Sequence, residues 1–141
     1  MPSATPADVL ARRSQLTLTG DVDGLADLFA PDAVWEWPFV GPADAPARLA
    51  GREAIREHSH RVIASPLRVE EYEVTELYQT QDPEVVVAEL RGKATVTTTG
   101  RSYTATAIQV VRIRDGQIVL VRDFSDPRVG DDLLGEPRPG S

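Results

Sequence analysis

The chain contains no cysteine. That excludes disulfides, thiolate metal sites and cysteine nucleophiles. Lysine occurs once, at Lys93, against fourteen arginines, so at most one residue has the chemistry of a Schiff-base lysine. Histidine occurs twice, at His58 and His60. Two residues apart on a helix, these point in different directions and make a poor metal site. No apolar run approaches the roughly 20 residues that span a bilayer. The first residues, Met1 to Pro6, lack the basic and apolar regions of a secretory leader. Positive charge is also in deficit. The net charge is -7, and no basic stripe runs against it, so a phosphate backbone would be repelled. Gly92 and Gly100 are isolated and form no phosphate-cradling loop. Ser59 and Ser125 stand in no recognisable nucleophile setting. These absences leave a cytoplasmic protein without metal or organic cofactor, with no nucleic-acid or membrane partner.

What is present is an ordinary globular composition, 41% hydrophobic and 26% charged over 141 residues. That length suits one domain with a sizeable core. Residues 1–6 read as a flexible tail, 7–127 as the domain, and 128–141 as a second tail rich in Gly and Pro. A helix is expected from about Ala7 to Gly20, with Val9, Leu10, Arg13, Leu16 and Thr17 on one face. Asp21 caps a second helix that carries Val22, Leu25, Leu28 and Phe29 and ends at Pro31-Asp32. Residues 33–39 alternate as a strand with Trp35 and Trp37 on one side. Gly41, Pro42 and Pro46 make residues 40–50 a loop. Arg52 to Ala64 is a third helix, with Ile55, His58, Val62 and Ile63 on its buried side.

From Leu67 the period changes to two. Strands are expected at about Arg68–Gln79, Glu84–Thr98, Ser102–Arg114 and Gln117–Phe124. Asp115-Gly116 is a tight-hairpin signal. Helices followed by an antiparallel meander give an α+β class: a cone-shaped barrel with N-terminal helices on a curved, mostly antiparallel sheet. Ile118 to Val121 is aliphatic on both parities, so its outer side needs cover, most simply from a second copy of the chain.

Chemistry concentrates at the end of the last strand, in Arg122-Asp123-Phe124-Ser125-Asp126-Pro127. A carboxylate closing an apolar strand must meet water, an opposite charge or a cavity. Asp123 is therefore either a general acid–base inside a pocket or a surface carboxylate beside Arg122. His58 is a proton shuttle or anchor facing that pocket, or a core-edge histidine bonded to a carbonyl. Trp37 is a candidate cavity wall. Arg13, on an apolar helix face, is either a binder of carboxylate or enolate or a snorkelling side chain. Glu89, Arg91 and Tyr103 sit in strands, where structural roles compete with ligand contact.

The order and spacing of several short pieces resemble the SnoaL-like, ketosteroid-isomerase-like superfamily across about residues 7–127. They are Phe29-Ala30-Pro31-Asp32-Ala33-Val34, Trp37-Pro38-Phe39, Gly51-Arg52-Glu53-Ala54-Ile55, Thr99-Gly100-Arg101-Ser102-Tyr103, Arg114-Asp115-Gly116-Gln117-Ile118 and the ending above. Arg56-Glu57-His58, Thr80-Gln81-Asp82-Pro83 and Arg91-Gly92-Lys93 are most similar to the phenazine-biosynthesis A/B branch. That likeness implies a helix histidine at His58 and an acidic residue at Asp123. The branch's serine is replaced by Val62. The steroid isomerase's Asp base, Tyr and second Asp fall on Trp37, near Arg13 and near Gln109, so that route is not expected. The Asp-Arg-Asp set of limonene-epoxide-hydrolase-like enzymes is also incomplete. The resemblance implies a cyclase, isomerase or dehydratase of specialised metabolism acting on a small hydrophobic or aromatic oxygenated molecule. Asp123 and His58 are its expected catalytic pair, with Trp37, Tyr103, Arg13 and Glu89 as substrate contacts. A ligand carrier or a dimeric scaffold subunit is the alternative on the same fold.

Overall fold

In the computed structural model, residues 4–128 are described. Of the expected tails at residues 1–6 and 128–141, residues 1–3 and 129–141 lie outside the described residues. The order is α1 (Pro6–Thr19), α2 (Val22–Asp27), β1 (Phe29–Trp37), β2 (Ala47–Ala50), α3 (Arg52–Ala64), β3 (Leu67–Gln79), β4 (Val85–Val96), β5 (Ser102–Arg114) and β6 (Gln117–Phe124). The strands form one six-stranded sheet in the order β2-β1-β6-β5-β4-β3. All neighbours are antiparallel except β1 and β6, which run parallel. This is the expected α+β class, with the helices packed on the sheet's inner face.

Local chemistry explains most element boundaries. Thr5 and Asp8 close a reciprocal capping box around the start of α1, and Pro6 occupies its first turn, where its missing N–H costs nothing. The helix therefore starts at Pro6, inside the expected tail. Gly20, at φ 73°, ends it in the left-handed region. Asp115 and Gly116 both take positive φ, 53° and 77°, as a two-residue type I′ hairpin requires. Register shifts between Val69 and Glu71 and between Val74 and Glu76 bend β3 over the helices.

Three expectations fail for physical reasons. α2 stops at Asp27, and Phe29 opens β1 rather than extending the helix. Pro31 lies inside β1, not at a helix end. The irregular register between Phe29 and Val34 absorbs its missing donor. The supposed loop over residues 40–50 contains β2, an edge strand paired on one side to β1. Four residues after Pro46 are too few for periodicity to reveal.

Gly51-Arg52-Glu53-Ala54-Ile55 has a structural role. Gly51 turns at φ 97° and donates its N–H to the Ala33 carbonyl at 2.7 Å. Arg52 Nε donates to the Phe29 carbonyl at 2.8 Å, and Ile55 is buried. These contacts dock α3 on β1 and so orient His58.

The inner face of the sheet divides in two. At one end Val86, Ala88, Val111, Ile113, Ile118 and Val121 pack against Val9, Leu10 and Phe29 of α1 and β1. Along the other end, β4 and β5 carry small inner residues: Gly92 pairs with Ala105, and Leu90 with Ala107. Missing side-chain volume there leaves space between sheet and helices.

Candidate active site

That space is a cavity of about 680 Å³, within the usual range for small-molecule sites. Its walls come from α1, α2, α3 and the inner sheet face, and most of them are apolar. Asp123, His58, Trp37 and Arg13 all line it. Four of the six residues expected from the sequence therefore converge.

Asp123 follows Val121 by two residues on β6, so both face inward. It is 9% exposed. Its cross-strand partner is Gln109, whose amide donates to Oδ2 at 3.2 Å. Oδ1 has no hydrogen-bond partner among the described residues. Burial pushes the Asp123 carboxyl above its ordinary 3.8. Weaker influences of Gln109, Ser125, Arg13 and Trp35 favour the charged form. Desolvation wins because these groups together do not replace a carboxylate's full hydration shell. The result is a carboxyl with one satisfied and one open oxygen, facing an apolar space.

His58 reaches the cavity from α3, where it is half-buried. Its ring stands 5.5 Å from that of Trp37, at 55°. The contact continues through Trp37–Trp35 at 6.0 Å and Trp35–Phe29 at 5.9 Å, forming an aromatic wall from the core to the histidine. Burial first, and the Arg61 charge second, lower the His58 pKa below 6.5. The imidazole is thus neutral at pH 7, able to donate at one nitrogen and accept at the other. His60 is exposed.

Arg13 is 1% exposed, in agreement with its apolar helical phase. Its guanidinium lies 5.8 Å from the Trp35 ring and 5.4 Å from the Tyr72 ring. The snorkelling alternative fails, because the head group does not reach water.

Glu89 and Tyr103 are not brought to the cavity. Glu89 is on the outer face of β4, where its carboxylate accepts from the Tyr78 hydroxyl at 2.5 Å. Opposite parity to Ala88 and Leu90 decides this. Tyr103 shares its parity with Ala105 and Ala107 but lies past the cavity, bonded to Arg101. Val62 is half-buried and Ile63 is 52% exposed; both line the cavity at its mouth rather than filling the core. Gln109 and Tyr72 are site residues that sequence reasoning did not select. Gln109 is identified only by the β5–β6 register, and Tyr72 only by the bends in β3.

Among the described residues no group of three or more His, Asp or Glu side chains converges as a metal site. No helix among them is long and apolar enough to cross a membrane.

The fold and this pocket define the class: an α+β cone enclosing a ligand-sized cavity with an ionisable pair. Residues 12–121 match the SnoaL-like domain family, and the chain belongs to it. An uncharacterised PhzA/B-like protein of Pseudomonas aeruginosa is 37% identical over 91% of this chain and 89% of its own length. That supports the phenazine-type branch. A Bacillus subtilis structure, provisionally described as an isomerase, superposes with TM-score 0.81 at 27% identity, covering 93% of each chain. IdmH of Streptomyces antibioticus, provisionally described as a polyketide cyclase, gives TM-score 0.73 at 26% identity, covering 94% of this chain and 99% of its own.

Proposed function

We propose that the protein is a small-molecule enzyme that moves a proton within this cavity, in a cyclisation, isomerisation or dehydration of a hydrophobic oxygenated compound. The observation that carries this is Asp123: a carboxyl 9% exposed, with Oδ1 unpartnered, in a wall of the cavity. Stability alone offers no reason to bury it there, since an unpaired buried carboxylate is costly. A raised pKa makes it a stronger base than a surface aspartate and brings it toward the working range of a general acid–base. His58 acts as the second proton-handling group, held by α3 and the Trp37 ring. Apolar walls keep water from competing, and positioning supplies the remainder. The chemistry named for the Bacillus and Streptomyces neighbours, isomerisation and polyketide cyclisation, is of this kind.

The test is hydrogen–deuterium exchange at the acidic C–H of enolisable aromatic ketones, 1-indanone and 2-tetralone, followed by NMR in D₂O. Wild-type protein should accelerate it. Asp123→Asn should remove about 100- to 10,000-fold of the acceleration, the usual contribution of a general base. A carrier would bind the ketones with no exchange by either protein.

We also propose a homodimer through the outer sheet face. Tyr78 at 49% and Ile108 at 47% exposure lie on that face, and Phe39 at 62% sits against Phe124 of β6. A second copy covers this apolar surface. Sedimentation showing only a monomer near 15.4 kDa at micromolar concentration would refute it.

A further inference from the structure

Arg13 poses a separate question. Its Nε, Nη1 and Nη2 are all buried, and none has a hydrogen-bond partner among the described residues. It makes no ion pair among them either, although Asp123 is near enough to feel its charge. A guanidinium offers five donors and keeps its proton at any ordinary pH. Burying it without an acceptor is strongly unfavourable, and two aromatic faces compensate only in part. The other charged side chains lining the cavity besides Asp123 are Asp21, Arg68 and Asp126, all exposed. Among the described residues, Arg13 is thus the one permanent charge held deep in the cavity.

We propose that the cavity's ligand is a planar organic anion whose charged oxygens dock on the Arg13 fork. Trp35 and Tyr72 hold the guanidinium from either ring and keep it from turning outward. An anionic oxygen on this fork and an acidic C–H or O–H beside Asp123 would orient one small molecule between two fixed points. The inference rests on the cavity being a ligand site, as proposed above, but not on Asp123 being a catalyst. The shared chemistry is a delocalised oxyanion, which a carboxylate or a phenolate-type enolate can supply.

The experiment compares matched probes by quenching of Trp35 and Trp37, the two tryptophans of the chain. 2-Naphthoate is set against 2-naphthamide, and 2,4-dinitrophenolate against 2,4-dinitroanisole. At least one anion should bind wild-type protein about 10- to 100-fold tighter than its neutral counterpart, the worth of charge-assisted hydrogen bonds. Whichever anion shows the larger ratio names the source of the oxyanion. Arg13→Gln should erase the ratio while keeping affinity for the neutral probe, and Arg13→Lys should keep part of it. Asp123→Asn should retain it, so a failed exchange assay leaves this outcome readable. If Arg13→Gln does not fold, the wild-type ratio still decides, read also as a larger rise in melting temperature with the anion than with its neutral partner. Equal binding of anion and neutral probe, no binding by either anion, or a ratio that survives in Arg13→Gln would overturn the proposal.

Discussion

The two ends of the inner sheet face are built from the same strands and do opposite things. At the core end, Val111, Ile118 and Val121 are each 0% exposed and leave no room. At the cavity end, Gly92, Ala105 and Ala107 withhold volume, and the buried groups are polar and incompletely satisfied: Arg13, Gln109 and Asp123. The first end follows the rule that interiors are close-packed and apolar. The second breaks it at the same depth. Departures from that rule are expected where a site is kept at the expense of stability. The contrast between the two ends makes the cavity end the candidate site without reference to any relative.

The largest stability effect should come from the packed end. Ile118→Ala should cost about 2–5 kcal/mol, the range for a large aliphatic side chain truncated in a close-packed core. Chemical denaturation would measure it. At the cavity end, Ala107→Leu should change stability by less than about 1.5 kcal/mol, because it adds volume to existing space. It should nonetheless abolish binding of the aromatic probes. A loss of several kcal/mol there would mean that the space is already filled, and the contrast between the two ends would disappear.

A smaller effect concerns pH. A carboxyl whose folded pKa is raised favours the folded state fully below its unfolded value. It loses that contribution as pH rises toward the folded value. Wild-type protein should therefore lose stability relative to Asp123→Asn as pH climbs above about 4, the ordinary aspartate range. Thermal melts of both proteins from pH 3 to 8 would show the divergence. His58 has the opposite sign. Its pKa is lowered, so its contribution is present above 6.5 and is lost as pH falls. His58→Gln should be the less acid-sensitive protein below that point, and it should reduce exchange activity less than Asp123→Asn does.

Sequence order and period made the packed end legible. The spans of β3–β6, the Asp115-Gly116 turn and the shared helical face of Val9, Leu10 and Arg13 all hold, although register shifts interrupt the alternation in β3 and β6. Asp123, His58, Trp37 and Arg13 were also legible, since a charged or aromatic residue at a core phase is conspicuous. Tyr103 and Glu89 were misplaced for two different reasons. Tyr103 has the right parity at the wrong height, and height depends on where the helices cover the sheet. Glu89 stands on the outer side of a strand whose two faces are both part-apolar, with Val85 and Val87 beside it, so alternation gave no direction. Gln109 escaped because a cross-strand partner is a property of register. Proline was misleading twice: Pro31 was absorbed by an irregular register, and Pro46 preceded a four-residue edge strand.

The central claim is that Asp123 is a desolvated carboxyl in the cavity, poised to hold or release a proton. Carbon-detected NMR titration of the Asp123 carboxyl, assigned by its disappearance in Asp123→Asn, tests this most directly. The account predicts a midpoint clearly above the ordinary 3.8, rising further when Arg13 is replaced by Gln. A midpoint at or below 3.8 would mean that the carboxylate is hydrated or paired, and the proton-transfer reading would be contradicted.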